Sequence, residues 1–166
     1  MKPLYLLIPV LAFAVLASSP ATALDARSLA SAQERHAQAA GAPSAARYVT
    51  LLKVLQDFSE DPAALEAAYG EPNYIYLEDA VIGHIERLFG GDYYGVLIDV
   101  PDSVRGERPR TAESARCIIG VKDNPRNLEA VKFYRIGDSR TFFANYLNRE
   151  DRTLNFICTD DSPSDR

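Results

Sequence analysis

The two cysteines, Cys117 and Cys158, give the clearest chemical prediction in this sequence. In an oxidising compartment, an even number of cysteines favours a disulfide, and two cysteines allow one intramolecular pairing. Neither lies in a C-x-x-C pair or at an evident helix N-terminus, the settings that lower a thiol pKa for catalysis. The sequence therefore predicts a structural Cys117–Cys158 disulfide without a redox role, and two buried free thiols are the alternative.

Nucleophilic catalysis requires a Ser, Thr or Cys beside a base, which is usually histidine. The chain has two histidines, His36 and His84. His36 falls in an alanine-rich segment and is not expected to be held in a fixed position. His84 falls in a predicted helix, where we interpret it as an ordinary helix residue. We therefore assign no catalytic residues.

The spacing of the acidic, histidine and glycine residues does not match a known metal or cofactor motif. His84 and Glu86 match the H-x-E part of the zinc deaminase signature, but the P-C-x-x-C part is absent. Two acids near His84 would still leave a metal without a fourth ligand. Gly90 and Gly91 precede a predicted strand, whereas phosphate is bound at a helix N-terminus. We predict neither a metal site nor a cofactor.

Two groups of side chains could instead form a binding surface. Tyrosines cluster near predicted strands, and tyrosine is enriched at protein interfaces because it combines a large contact area with a polar tip. A long polar loop, residues 101–114, contains arginines that can bind carboxylates or phosphates. Ordinary strand packing and a solvated loop balanced by its own acids are the alternatives. The candidate partner-binding residues are Tyr74, Tyr76, Tyr93, Arg105, Arg108 and Arg110.

Most of the secondary structure predicted in the first half of the chain is helical. Residues 24–43 are alanine-rich with few large apolar residues, which indicates a frayed helix or a disordered leader. Apolar residues at helical spacing predict the later helices. These are a helix capped by Ser44 with Tyr48, Leu51, Leu55 and Phe58 on its buried face, a short helix from Asp61 to Gly70, a helix from Asp79 to Phe89, and a helix over 142–147.

Aromatic and β-branched runs predict strands over 74–77, 93–100, 116–122, 128–136 and 153–159. Turn-length links between neighbouring strands favour antiparallel pairing, and helices concentrated early in the chain favour the α+β class. Cys117 lies on the same strand face as Ile119, and Cys158 lies on the same strand face as Phe156. Both cysteines should therefore face the core. We predict an α+β domain with a mostly antiparallel sheet of four to five strands, N-terminal helices packed on one face, and one disulfide.

The first 23 residues have the three parts of a secretory signal peptide. Lys2 provides a basic start, the run from Leu4 to Leu16 is apolar, and Ala21-Thr22-Ala23 is a small-x-small cleavage site. The apolar run is shorter than the roughly 20 residues that a transmembrane helix needs. We therefore divide the chain into a signal peptide (1–23), an alanine-rich leader (24–43), a single α+β domain (44–160) and a polar tail (161–166).

The net charge of the chain limits the classes of function that it can have. With 18 basic and 23 acidic residues, the chain carries a charge of −5, which disfavours a nucleic-acid binder. We expect a periplasmic or secreted protein without a membrane span. A non-enzymatic binding, inhibitor or immunity-type protein, whose partner is another protein of the envelope or secreted space, fits these features best. An envelope accessory or structural module and a hydrolase acting on envelope polymers are the alternatives.

Overall fold

The computed structural model describes residues 24–41, 46–110 and 113–160, so the predicted signal peptide, the predicted cap Ser44 and the polar tail lie outside it. Its helices are α1 (Ala26–Ala40), α2 (Leu51–Glu60), α3 (Ala64–Tyr69) and α4 (Pro125–Lys132). Its strands are β1 (Arg47–Thr50), β2 (Ile75–Leu88), β3 (Tyr93–Asp99), β4 (Ser114–Gly120), β5 (Ser139–Glu150) and β6 (Thr153–Asp160). Among these residues, no helix has both the length and the apolar character needed to cross a bilayer.

The strands form one six-stranded sheet in the order β1-β2-β3-β4-β6-β5, and β2 also pairs with β5. This extra pairing closes β2 to β6 into a barrel, with β1 attached to the first part of β2. The pairs β1–β2 and β4–β6 are parallel and the other pairs are antiparallel. The predicted α+β class is confirmed, and the sheet is mixed, with four antiparallel and two parallel pairs among the described strands.

Two hydrophobic clusters cover opposite faces of the sheet. The larger fills the barrel and includes Leu51, Leu55 and Phe58, the predicted inner face of α2. The smaller joins Leu29 of α1 to Ile118 of β4 and Ile157 of β6 on the outside. The β4–β6 pair is therefore buried on both faces. The expected packing of the N-terminal helices together on one face is not confirmed, because α1 lies outside the barrel.

The alanine-rich segment, expected as a frayed helix or a disordered leader, is the packed helix α1. The Asp25 side chain caps it by accepting hydrogen bonds from the backbone N–H groups of Arg27 and Ser28, both at 2.9 Å. Small side chains let the helix approach the sheet closely. A Cβ atom at Gly120 would lie 2.9 Å from the Gln33 side chain, so a larger residue on β4 would require Gln33 to move.

The predicted helix from Asp79 to Phe89 is wrong, because these residues continue β2 and its hairpin turn. The pairing of β2 with β5 is irregular after Leu77, and the pairing of β2 with β3 is irregular after Ile82. The inward side chains are consequently Leu77, Ala80, Ile82 and Ile85, with spacings of three, two and three residues. A strand with two such bulges imitates the spacing of a helix. The predicted end of this helix, Gly90-Gly91, supplies the positive φ angles of the turn into β3.

The helix predicted over 142–147 is also wrong, because these residues lie in β5. Phe142 faces the barrel, whereas Phe143 faces outward, so both faces of this strand are apolar. A strand with two apolar faces loses the alternation that distinguishes it from a helix, and residues 142–147 also lack the β-branched residues that indicate β4 and β6. The strands predicted over 93–100, 116–122 and 153–159 are confirmed as β3, β4 and β6.

The predicted strand over 128–136 is wrong because α4 occupies its first part. The Asn124 side chain accepts a hydrogen bond from the Asn127 backbone N–H, and Pro125 occupies the first turn. These are strong helix-start signals. The helix predicted from Ser44 begins only at Leu51, where Thr50 caps it, because Tyr48 belongs to β1.

Candidate binding surfaces

Cys117 and Cys158 form the predicted disulfide, and both are buried inside the barrel. Cys117 is in register with Phe156 across the parallel β4–β6 pair, so Cys158, two residues further along β6, lies on the same face. Their Cα atoms are 5.4 Å apart, within the usual range for a disulfide. With both thiols oxidised, no cysteine is available as a nucleophile.

Arg108 ties the long loop before β4 to the sheet. Its Nη1 donates to Asp99 Oδ1 at 2.9 Å, and its Nη2 donates to the Glu113 backbone oxygen at 3.0 Å. The Glu113 carboxylate is itself buried and pairs with Arg149 at 2.8 Å. Arg108 therefore has internal partners for both terminal nitrogens of its guanidinium group.

Arg105 is held within the same network, although its side chain, like that of Arg110, is exposed. Arg105 Nη2 lies 2.9 Å from Asp102 Oδ1 and 3.7 Å from Asp99 Oδ2. Arg110 follows at the exposed end of the loop. The three arginines therefore do not converge on a single open pocket, and two of them hold the loop in place.

A row of rings, here called the aromatic stack, crosses the outer surface of β1, β2 and β5. Tyr48 on β1 stacks on Tyr76 on β2, with ring centroids 4.7 Å apart and planes inclined by 19°. Tyr76 meets Phe143 on β5 at 5.5 Å, and Phe143 stacks on Tyr74 at 5.4 Å and 7°. His36 of α1 closes the row against Phe143 at 5.0 Å. Strand register produces this order, since Tyr48 pairs with Tyr76 and Tyr76 with Phe143.

The aromatic stack has one buried end and one open end. His36 and Phe143 are buried, Tyr74 and Tyr76 are half-buried, and Tyr48 is 65% exposed. Inner rings cover one another, so their faces are not available to a ligand. The outer side of the Tyr48 ring, beyond β1, has no aromatic neighbour among the described residues. β1 also ends the order of the described strands, so the open ring lies at a strand edge that no other described strand pairs with.

A groove of about 540 Å³ runs beside β1 and is lined by polar side chains. The Asp57 carboxylate accepts hydrogen bonds from the Lys53 ammonium and the Tyr69 hydroxyl group. Although burial opposes its charge, these two donors hold the pKa of Asp57 below its ordinary value. The Arg47 guanidinium lies over the Tyr69 ring, 5.2 Å from its centroid. Arg47 and Lys53 therefore line the same groove as Tyr48, with Arg47 held over the Tyr69 ring and Lys53 paired with Asp57.

His36, which was not expected to be held in a fixed position, is fully buried, so that expectation is wrong. Its Nδ1 donates to Asn145 Oδ1 at 2.8 Å, and its ring lies against Tyr74 and Phe143. Burial lowers the pKa of the imidazole to about 4, although the bond to Asn145 opposes this shift. His36 is therefore neutral at pH 7. His84, by contrast, is exposed on β2.

The structure brings Tyr74 and Tyr76 together and places Tyr93 elsewhere. Tyr93 begins β3 and lines a groove of about 710 Å³ between α1 and the ends of β3 and β4. Its nearest ring is Phe89, edge-on at 6.1 Å. Sequence reasoning missed Tyr48 as a surface residue, because it was assigned to the buried face of a helix. The short β-type run Tyr48-Val49-Thr50, immediately before a good cap residue, is the signal that could have identified it.

No group of three or more His, Cys, Asp and Glu side chains is arranged to hold a metal ion within residues 24–41, 46–110 and 113–160. Comparisons with protein-family models, with curated proteins and with solved structures found no match. Function must therefore be argued from the surfaces of this chain itself.

Proposed function

We propose that this is a non-enzymatic binding protein of the periplasm or secreted space, in the manner of an inhibitor or immunity protein. Its partner is another protein of the same compartment. The observation that carries the proposal is the open end of the aromatic stack at Tyr48, next to the free edge of β1. The signal-peptide pattern of residues 1–23 and the disulfide both fit an oxidising compartment outside the cytoplasm.

The geometry of the rings favours a protein partner over a sugar polymer. A sugar stacks on ring faces that are turned toward the ligand, whereas Tyr48 and Tyr76 face each other across two strands. A strand of a partner could pair with the free edge of β1 and place a side chain against the open Tyr48 ring. This strand addition is a common mode of peptide recognition, in which backbone hydrogen bonds provide affinity and side-chain pockets provide specificity.

The charges beside β1 indicate the side chains such a strand would carry. Arg47 and Lys53 line the groove that Tyr48 also lines, although the chain as a whole is acidic. An aromatic residue opposite Tyr48 would extend the row of rings, and a neighbouring acid would meet the Arg47 guanidinium beside Tyr69. Aromatic anchors surrounded by polar contacts are typical of the residues that dominate binding energy.

Affinity capture from periplasmic and culture fractions, using the oxidised protein, tests this function. The wild type should retain a specific partner, and Tyr48→Ala should bind that partner about tenfold more weakly, as loss of an aromatic anchor predicts. Phe89→Ala is the matched control, because Phe89 is 40% exposed but lies outside the aromatic stack. Equal capture by wild type and Tyr48→Ala, or no specific partner, would contradict the proposal.

A further inference from the structure

Two large apolar side chains are unusually exposed in the turn between α4 and β5. Phe133 is 71% and Ile136 is 72% exposed, values above those of the other exposed large apolar residues that the structure describes. Both lie within residues 132–137, here called the basic apolar tip. Isolated exposed apolar residues are ordinary, but two that project from one short turn call for a physical reason.

The fold holds this tip in place. Tyr134, between the two exposed residues, is buried against Phe142 in an edge-on contact, with ring centroids 6.2 Å apart. The Arg140 guanidinium covers the Tyr134 ring at 5.3 Å. The Gly137 backbone N–H donates to the Ile82 oxygen at 2.7 Å. The anchored tyrosine and the turn thus force Phe133 and Ile136 outward, so their exposure is built into the fold.

The tip also carries positive charge on an acidic protein. Lys132 and Arg135 are both exposed beside the apolar pair. Lys132 pairs with Glu129 at 2.5 Å, whereas Arg135 has no ion-pair partner among the described residues. Asp138 is engaged by Arg140 at 3.1 Å. The tip therefore combines protruding apolar groups with an available cation.

We propose that the basic apolar tip docks the protein on an anionic lipid surface. Phe133 and Ile136 enter the interfacial layer, while Arg135 and Lys132 contact lipid phosphates. A bilayer accepts protruding side chains without a complementary pocket, whereas a protein partner would need one for each of the two side chains. Because reversible attachment usually combines an apolar and an electrostatic signal, we expect binding to be weak and salt-sensitive. This surface is separate from the open end of the aromatic stack and does not depend on the proposed partner.

Vesicle co-sedimentation of the full oxidised protein tests this docking. We expect binding to vesicles in which about a third of the lipid is phosphatidylglycerol, and little binding to pure phosphatidylcholine, because the attraction is to anionic lipid. The double variant Phe133→Ser/Ile136→Ser should partition at least about tenfold less, since it removes both apolar side chains. Arg135→Glu should weaken binding and reduce its salt dependence.

Matched controls separate docking from loss of folding. All three substituted residues are exposed, so the variants should keep the wild-type thermal midpoint. Phe89→Ala should bind vesicles like the wild type. Absence of wild-type binding to anionic vesicles, or equal binding by the double variant, would overturn the proposal. If the double variant instead loses capture of a protein partner and no form binds vesicles, the tip is a protein contact and the lipid assignment is wrong.

Discussion

The two faces of the β4–β6 pair are stabilised by different kinds of interaction. On the inner face, a disulfide and a continuous apolar cluster fill the barrel. On the outer face, a single alanine-rich helix supplies Leu29 and Ala32, and His36 of the same helix forms a buried polar pair with Asn145 of the adjoining strand β5. The inner face depends on covalent linkage and apolar burial, neither of which changes with moderate acid. The outer face depends in addition on the neutrality of one histidine.

This difference predicts a hierarchy of stability within one small domain. Elements that bury few large side chains open at lower free energy than the core. Because α1 contributes mainly small residues, we expect it to detach from the sheet before the barrel opens. Hydrogen exchange should therefore show weaker protection for the backbone amides of α1 than for those of β4 and β6.

The largest expected effect comes from removing the covalent link of the inner face. The Cys117→Ser/Cys158→Ser variant should lose about 2–5 kcal/mol of unfolding free energy, because the disulfide closes a separation of 41 residues in the unfolded chain. Urea denaturation of the oxidised wild type and the variant measures this loss. Reduced wild type is the control and should show a similar loss. Two free thiols in native protein from an oxidising compartment would contradict the assignment.

The same comparison explains what the sequence could predict. The inner faces of β3, β4 and β6 alternate regularly, so strand parity correctly placed Cys117 and Cys158 on the core side and predicted their pairing. Bulges in β2 and two apolar faces in β5 replaced that alternation with helix-like spacing. Local pattern thus sufficed for β3, β4 and β6, whose β-branched residues indicate a strand, and failed for the bulged β2 and for residues 142–147, which contain no β-branched residue.

The outer face was harder to predict because its contacts are tertiary. Nothing in the spacing around His36 indicates that Asn145, far along the chain, would meet it. Tyr74 and Tyr76 were identified by residue type, but the stack they belong to depends on the register of β1, β2 and β5. The candidate site could therefore be predicted only as a list of aromatic residues and not as a surface.

Acidification should lower the free energy of unfolding by about 3 kcal/mol through the outer face, which is less than the upper end of the range for the disulfide. The pKa of His36 falls from 6.5 to about 4 on folding, so the unfolded chain takes up a proton that the folded protein excludes. This contribution to stability is complete above pH 6.5 and is lost as the pH falls toward 4. Chemical denaturation between pH 7 and pH 4 measures it.

The two histidines provide a matched control for this acid effect. His36→Gln should reduce the loss of stability between pH 7 and pH 4, because the imidazole proton is then no longer excluded on folding. His84→Gln is the control and should keep the acid sensitivity of the wild type, because it leaves the buried His36 in place. Hydrogen exchange should also show that acid weakens protection of α1 before that of β6. Identical profiles for wild type and His36→Gln would assign the acid sensitivity to carboxylates instead.

The smallest expected effect on stability is at the open end of the aromatic stack. Tyr48→Ala removes a ring that is 65% exposed and stacks only on Tyr76 among the described rings, so it should cost about 0.5–1 kcal/mol. Thermal and urea unfolding measure this value. A loss as large as that of the disulfide variant would mean that Tyr48 is part of the structural core. A small loss of stability together with the tenfold loss of partner binding would instead show that the exposed ring serves recognition, since an aromatic side chain that adds little to folding is available to bind another molecule.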